Sequence, residues 1–158
     1  MRTVTDGDRL DLERMNTDER TPRALTLSVR VVGALLLLAM AGIHLKLWVD
    51  GFRDIPWIGP LFLANVVLGA GAAVAVLVTP RRWFPWVALL AGLLSLSTLG
   101  GLVLSLTVGL FGYHEVVAGY VVPTILVESA AFLVLAGDGA YELLRSRRRG
   151  HGAWPWAE

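Results

Sequence analysis

No cysteine occurs among the 158 residues. This excludes disulfides, thiolate nucleophiles, cysteine-bound zinc and cysteine-ligated clusters. Lysine is nearly missing too, since Lys46 stands alone against thirteen arginines. With abundant Gly, Ala, Val and Leu, this is the composition of a GC-rich bacterial genome. Charge of either sign is scarce between the ends, because almost all of it lies in the first 23 residues, the last 21 and three short loops. There is no phosphate-binding glycine loop, zinc-protease helix or nucleophile elbow. Nothing therefore argues for an enzyme. No catalytic residue, metal ligand or cofactor is assigned.

What remains is apolar. Hydrophobic residues make up 55% of the chain, against about 45–50% in a soluble domain, and they are gathered in blocks. Four blocks run from Leu27 to Val49, Ile58 to Thr79, Pro85 to Phe111 and Val117 to Ala136. Each reaches the roughly 20 residues that a helix needs to cross the hydrocarbon. Pro56 and Pro80 bound the second block, as helix-breaking residues do. The third is long enough to require tilt, protrusion or a bend, and Gly100-Gly101 is the place for a bend. The fold class is all-α, a bundle of four transmembrane helices. Residues 1–22 have mixed charge and few large apolar side chains, which predicts a disordered cytoplasmic arm. They do not form a standard signal peptide, so the first helix is expected to remain in the mature protein. Residues 138–158 read as a basic cytoplasmic tail, with Asp138–Leu144 extending the fourth helix.

Orientation follows from the cations. With four spans, one side carries twelve: Arg2, Arg9, Arg14, Arg20, Arg23, Arg30, Arg81, Arg82, Arg145, Arg147, Arg148 and Arg149. The other carries only Lys46 and Arg53. The positive-inside rule then places both termini in the cytoplasm of a bacterial cell, the protein being multi-pass in the plasma membrane. Arg30 is expected to snorkel to the headgroups. Trp48, Trp57, Trp83, Trp86 and Tyr113 fall at the expected helix ends, as interfacial aromatics do. The cluster Arg145, Arg147, Arg148 and Arg149 is suited to anionic lipid headgroups, at about 1 kcal/mol per residue. It is too short a segment for nucleic acid.

In lipid the polar residues are the informative ones, because a polar group without a partner costs several kcal/mol there. Glu128 lies near the middle of the fourth span, where desolvation favours a neutral carboxyl group. Thr124 sits one turn before it on the same face. His44 is roughly 9 Å outward of the first helix's midpoint and shares a face with Gly33, Met40 and Trp48, while Lys46 points almost the opposite way. Asn65, slightly outward of centre on the second helix, shares a face with Gly69, Ala72 and Val76. Thr98, Gly101, Ser105, Gly109 and Gly112 fall within an arc of about 80° on the third helix. This is a small-residue seam, either a packing face or the lining of a pore or groove. By depth, Thr98 and Glu128 near the midplane, then Asn65, then His44 form a ladder toward the outer surface. Asp50, Arg53, Asp54, His114 and Glu115 then stand at an outer mouth, or the loop charges pair with one another.

Two pieces, Ala41-Gly-Ile-His-Leu-Lys-Leu-Trp48 and Gly51-Phe-Arg-Asp-Ile-Pro-Trp-Ile-Gly-Pro-Leu-Phe-Leu-Ala-Asn65, carry a resemblance. Over about a third of the chain, from Arg30 to Thr79, it resembles small actinobacterial four-helix membrane proteins of unassigned function. The run from Arg30 to Lys46 also loosely resembles the DoxX-like four-helix family. The resemblance implies a four-helix bundle with links to redox or quinone biology. Three functions follow as expectations. One is a bundle whose outward-facing polar cavity binds a small ligand, proton or quinone. Another is a non-catalytic accessory subunit, packed as a homo-oligomer or in a larger membrane complex through the seam. The last is a haem or other redox carrier, with His44 and His114 as axial ligands.

Overall fold

The computed structural model describes the backbone of residues 6–109 and 119–150, and the side chains of residues 25–109 and 119–148. It contains four α-helices: α1 (Asp6–Asp50), α2 (Ile58–Val78), α3 (Phe84–Thr107) and α4 (Val121–Gly150). A short 3-10 turn, Phe52–Asp54, links α1 to α2. There is no strand among the described residues. Each helix carries a stretch long and apolar enough to cross a membrane: Leu25–Asp50, Ile58–Val78, Phe84–Thr107 and Val121–Arg148.

The helix ends depart from the sequence reading in four places, the first being that α4 begins at Val121, after a turn at residues 119–120, and not at Val117. Residues 6–22 were expected to be a disordered arm but continue α1 as helix. The segment is rich in Leu, Arg, Glu and Met, which favour helix, and Asp6 and Asp8 suit the positive end of the dipole. α4 likewise runs on through the basic segment to Gly150. Glu, Leu and Arg are good helix formers, and cations favour a helix C-terminus. α3 ends at Thr107, followed by Gly109 with φ +81°. It passes through Gly100-Gly101 as unbroken helix. At 24 residues it rises about 36 Å, still more than the roughly 30 Å hydrocarbon core.

Neighbouring helices run antiparallel. Arg30 on α1 reaches the end of α2, and His44 meets Asn65 near the start of α2. Gly33 abuts Leu135 while His44 faces Glu128, so α1 and α4 are also opposed. Gly92 abuts Ala136, and Gly139 abuts Pro85, which opposes α3 and α4. α1 and α3 run the same way, with Arg30 over Phe84 and Met40 against Thr98. One end of the molecule therefore holds Arg30, the α2–α3 loop and the later turns of α4, and is called the arginine end. The opposite end holds the 3-10 turn and the start of α4, and is called the turn end.

Packing is tightest where no side chain intervenes. A Cβ on Gly92 would lie 2.8 Å from the Ala136 backbone nitrogen, and one on Gly139 2.6 Å from the Pro85 carbonyl oxygen. Only glycine lets α3 and α4 approach this closely. Leu37, Met40, Val76, Phe84, Ala88 and Leu135 fill the centre. Meanwhile Val67, Leu90, Leu126 and Leu133 are each more than 60% exposed. An apolar surface this extensive suits an apolar solvent rather than water. Arg30 does not simply snorkel. It donates to the carbonyl oxygens of Val76 and Leu77 at 3.2 and 3.1 Å, and its guanidinium carbon stands 4.2 Å from the Phe84 ring centroid. These are the carbonyls that the end of α2 leaves unpaired.

Candidate functional site

The polar residues singled out by depth come from four different helices, and the fold brings them to one place. His44 (α1), Asn65 (α2), Thr98 (α3), Thr124 and Glu128 (α4) all line a single cavity of about 660 Å³. That is within the roughly 300–1,000 Å³ of small-molecule sites. His44 and Asn65 are buried, and Glu128 is fully so.

The hydrogen bonds define the imidazole's state. His44 Nδ1 lies 2.9 Å from the Met40 carbonyl oxygen. A carbonyl only accepts, so Nδ1 carries a proton and donates it. Nε2 lies 3.2 Å from Asn65 Nδ2, and in a neutral ring it accepts from that amide. The Glu128 carboxyl oxygen Oε1 stands 3.8 Å from the same Nε2. The Phe62 ring flanks the imidazole at 5.2 Å, and Phe52 stacks on Phe62 at 5.0 Å with 9° between planes. An aromatic column thus runs from His44 toward the 3-10 turn.

Three polar atoms of this site are buried without a hydrogen-bond partner: Asn65 Oδ1 and both carboxyl oxygens of Glu128. The Thr98 hydroxyl is close enough to act on the Glu128 carboxyl, but the hydroxyls nearby are directed to backbone carbonyls. Thr98 Oγ1 donates to the Ser95 carbonyl at 2.9 Å, and Thr124 Oγ1 to the Tyr120 carbonyl at 2.7 Å. Two proton arrangements fit the geometry. With Nε2 bare, Asn65 donates to it and Glu128 keeps its own proton. With Nε2 protonated, an imidazolium faces a carboxylate, and the amide, turned over, accepts from Nε2–H through Oδ1. Interconverting them takes one proton moved across the 3.8 Å between Oε1 and Nε2 together with a turn of the Asn65 amide.

The small-residue seam of α3 divides. Thr98, Gly101 and Ser105 line the cavity. Gly109 lies beyond the helix, and Gly112 is outside the described residues. A Cβ on Gly101 would meet nothing within 4 Å, so this part of the seam is a wall and not a contact.

Of the outer-mouth candidates, the described ones, Asp50, Arg53 and Asp54, are not part of the cavity lining. Asp50 pairs with Lys46, and Arg53 with its neighbour Asp54 at 3.4 Å, all of them exposed. His114 and Glu115 lie outside the described residues. Phe52 and Ile55 line that end of the cavity instead. Sequence reasoning passed over them because they sit in a loop chosen for its charges. It also passed over Gly59, where a Cβ would lie 2.3 Å from the Arg53 carbonyl oxygen. Glycine there lets the turn fold back onto α2. Trp57, just before α2, has φ +67°, a left-handed backbone unusual for a bulky residue. Arg145, Arg147 and Arg148 are exposed along the last turns of α4, and the Arg149 side chain is outside the described residues.

Compared with models of known protein families, with curated proteins and with solved structures, the chain matches none.

Proposed function

We propose that the chain is a four-helix bundle spanning a bacterial plasma membrane, with both termini cytoplasmic. In this reading it binds a small uncharged ligand of quinone type at His44, Asn65 and Glu128. The arginine end carries Arg30, Arg81, Arg82, Arg145, Arg147 and Arg148, which supports placing it at the cytoplasmic face. The turn end, and with it the cavity, then faces outward. Exposed Arg145, Arg147 and Arg148 suit anionic headgroups on the inner leaflet.

The observation that carries the ligand reading is the set of three unpartnered atoms in the cavity wall. An orphaned polar group in an apolar setting costs several kcal/mol, and a ligand that pairs with it recovers that energy. The hydroxyls of a quinol donate to Asn65 Oδ1 and to the carboxyl oxygens. The carbonyl of a quinone accepts from the Glu128 O–H. The loose resemblance of the run from Arg30 to Lys46 to the DoxX-like family points to the same ligand chemistry.

The test is a titration in lipid nanodiscs with a short-chain naphthoquinone and its quinol, followed by quenching of the tryptophans. Asn65→Leu and Glu128→Gln are expected to weaken binding at least tenfold while melting remains cooperative. Asp54→Asn, on the exposed turn, is expected to leave it unchanged. Equal affinity in all of these proteins removes the ligand reading. Poor expression with unchanged binding per molecule marks the triad as interhelical glue. A reporter active only in the cytoplasm, fused to the C-terminus, tests the orientation.

A further inference from the structure

Among the described residues, the cavity is closed on two sides and open on a third. α1 and α4 contribute buried walls through His44, Thr124 and Glu128. On α2 and α3 the lining residues Leu61, Leu68 and Ser97 are themselves exposed. α2 and α3 share a core at the arginine end, where Ala73 and Val76 join one cluster with Phe84 and Ala88. Toward the turn end both helices line the cavity with these exposed residues, and the opening lies between them. Its floor is the bare backbone at Gly101, about 9 Å from the end of α3 along the axis. This gap lies within the spans that are apolar enough to be in lipid. At the turn end, Phe52 stacked on Phe62 and half-buried Ile55 cover the cavity with apolar groups.

The lining chemistry limits the occupant. Among the described residues, no arginine or lysine lines the cavity, and Glu128 is its one acid. A phosphate or carboxylate head would find no arginine or lysine there, and would face the Glu128 carboxyl group. The unpartnered atoms at the inner wall, Asn65 Oδ1 and the Glu128 carboxyl, call for donors and a proton-accepting partner. The rest of the path to the gap is mostly hydrocarbon, with the side chains of Ser97, Thr98 and Ser105 along α3.

We infer that the ligand enters sideways from the bilayer between α2 and α3, and is a single-tailed amphiphile with an uncharged hydrogen-bonding head and a hydrocarbon tail lying over Gly101. This rests on the ligand reading above and names the class of molecule that site takes. The head seats against Asn65 and Glu128. The tail leaves through the gap and remains in lipid, so the ligand never crosses water.

The lack of native cysteine makes the test direct, because one introduced thiol is the only target. Gly101→Cys adds a side chain where a Cβ meets open space, so it is expected to fold. Ser97→Cys is a second probe of the gap, and Asp54→Cys on the exposed turn is the aqueous control. In nanodiscs, neutral N-ethylmaleimide is expected to modify Gly101→Cys and Ser97→Cys at least ten times faster than a sulfonated maleimide. Asp54→Cys should react with both alike. A monoacylglycerol, with its neutral hydroxyl head and one chain, should slow labelling of Gly101→Cys at least threefold, and Asn65→Leu should abolish that protection. Equal rates for the two reagents at Gly101→Cys overturn sideways access. Protection by a tailless naphthoquinone but not by the monoacylglycerol overturns the amphiphile class and leaves the ligand reading standing. Protection by neither overturns both.

Discussion

Glu128→Leu should make this protein more stable and less able to bind. Glu128 is fully buried, with neither carboxyl oxygen hydrogen-bonded. A buried polar group left unsatisfied costs about 1–3 kcal/mol. Leucine is close in volume, keeps the helix and asks for no partner. The two orphaned oxygens do not simply add, since a membrane-embedded unfolded chain also finds partners for its polar groups. A gain of about 1–3 kcal/mol is therefore expected, at about 2–4 °C in melting midpoint for each kcal/mol in a chain of this length. His44 does not lose by the change. Its two hydrogen bonds, to Met40 and Asn65, are complete without the acid.

The six tryptophans provide the fluorescence signal for thermal melts in a fixed detergent or nanodisc. Glu128→Gln is the companion variant, as it keeps a polar group in place and is expected to gain nothing. A lower midpoint for Glu128→Leu would refute the reasoning. Removing one partner from a buried ion pair costs about 3–5 kcal/mol, so a loss of that size would show that Glu128 is a carboxylate held by an imidazolium at His44. A gain together with lost quinone binding is the trade of stability for function that an active position makes.

Other expected outcomes concern the surroundings of the triad. His44→Leu leaves Asn65 Nδ2 as well as Oδ1 without a partner and should cost about 1–3 kcal/mol. Adding Asn65→Leu should recover most of this, with a coupling of about 1 kcal/mol or more in a double-mutant cycle read by melting. Gly59→Ala sets a methyl 2.3 Å from the Arg53 carbonyl oxygen. The turn must move, costing about 1–3 kcal/mol, and ligand affinity should fall because Phe52 moves with it. Arg30→Met removes two hydrogen bonds to the end of α2 and the contact with Phe84. A loss of about 1–2 kcal/mol is expected, and a midpoint unchanged within a degree would show that those bonds merely replace water.

The four spans were legible because lipid imposes a length and a composition on any helix that crosses it. The polar residues were legible for the same reason, since apolar surroundings leave few places for His44, Asn65 and Glu128. Their convergence was not. Depth along a helix follows from counting residues, but whether Asn65 on α2 turns toward His44 or away depends on the rotation of each helix against its neighbours. That rotation is set by contacts such as Gly33 on Leu135 and Gly92 on Ala136, which join residues more than 40 positions apart. The continuation of α1 back to Asp6 was also hidden. Low hydrophobicity argued for disorder there, while helix-favouring residues carried the structure onward from the apolar stretch.

The glycines of α3 show why a small residue has two meanings. Gly92 and Gly101 lie on opposite faces of the same helix, nine residues apart, and are equally small. At Gly92 a methyl would strike the backbone of α4, while at Gly101 it would enter open space. A glycine says only that a backbone is bare, and the neighbouring helix decides whether bareness becomes contact or cavity. In the half of α3 nearer the arginine end, α4 fills the space, and Gly139 on α4 answers with its own bare backbone against Pro85. At Gly101 the same bareness lines the cavity that Glu128 also lines. Widening the side chain at the two positions should therefore give opposite results. Gly92→Leu should break the α3–α4 interface, while Gly101→Leu should leave the fold intact and fill the space that the proposed tail requires.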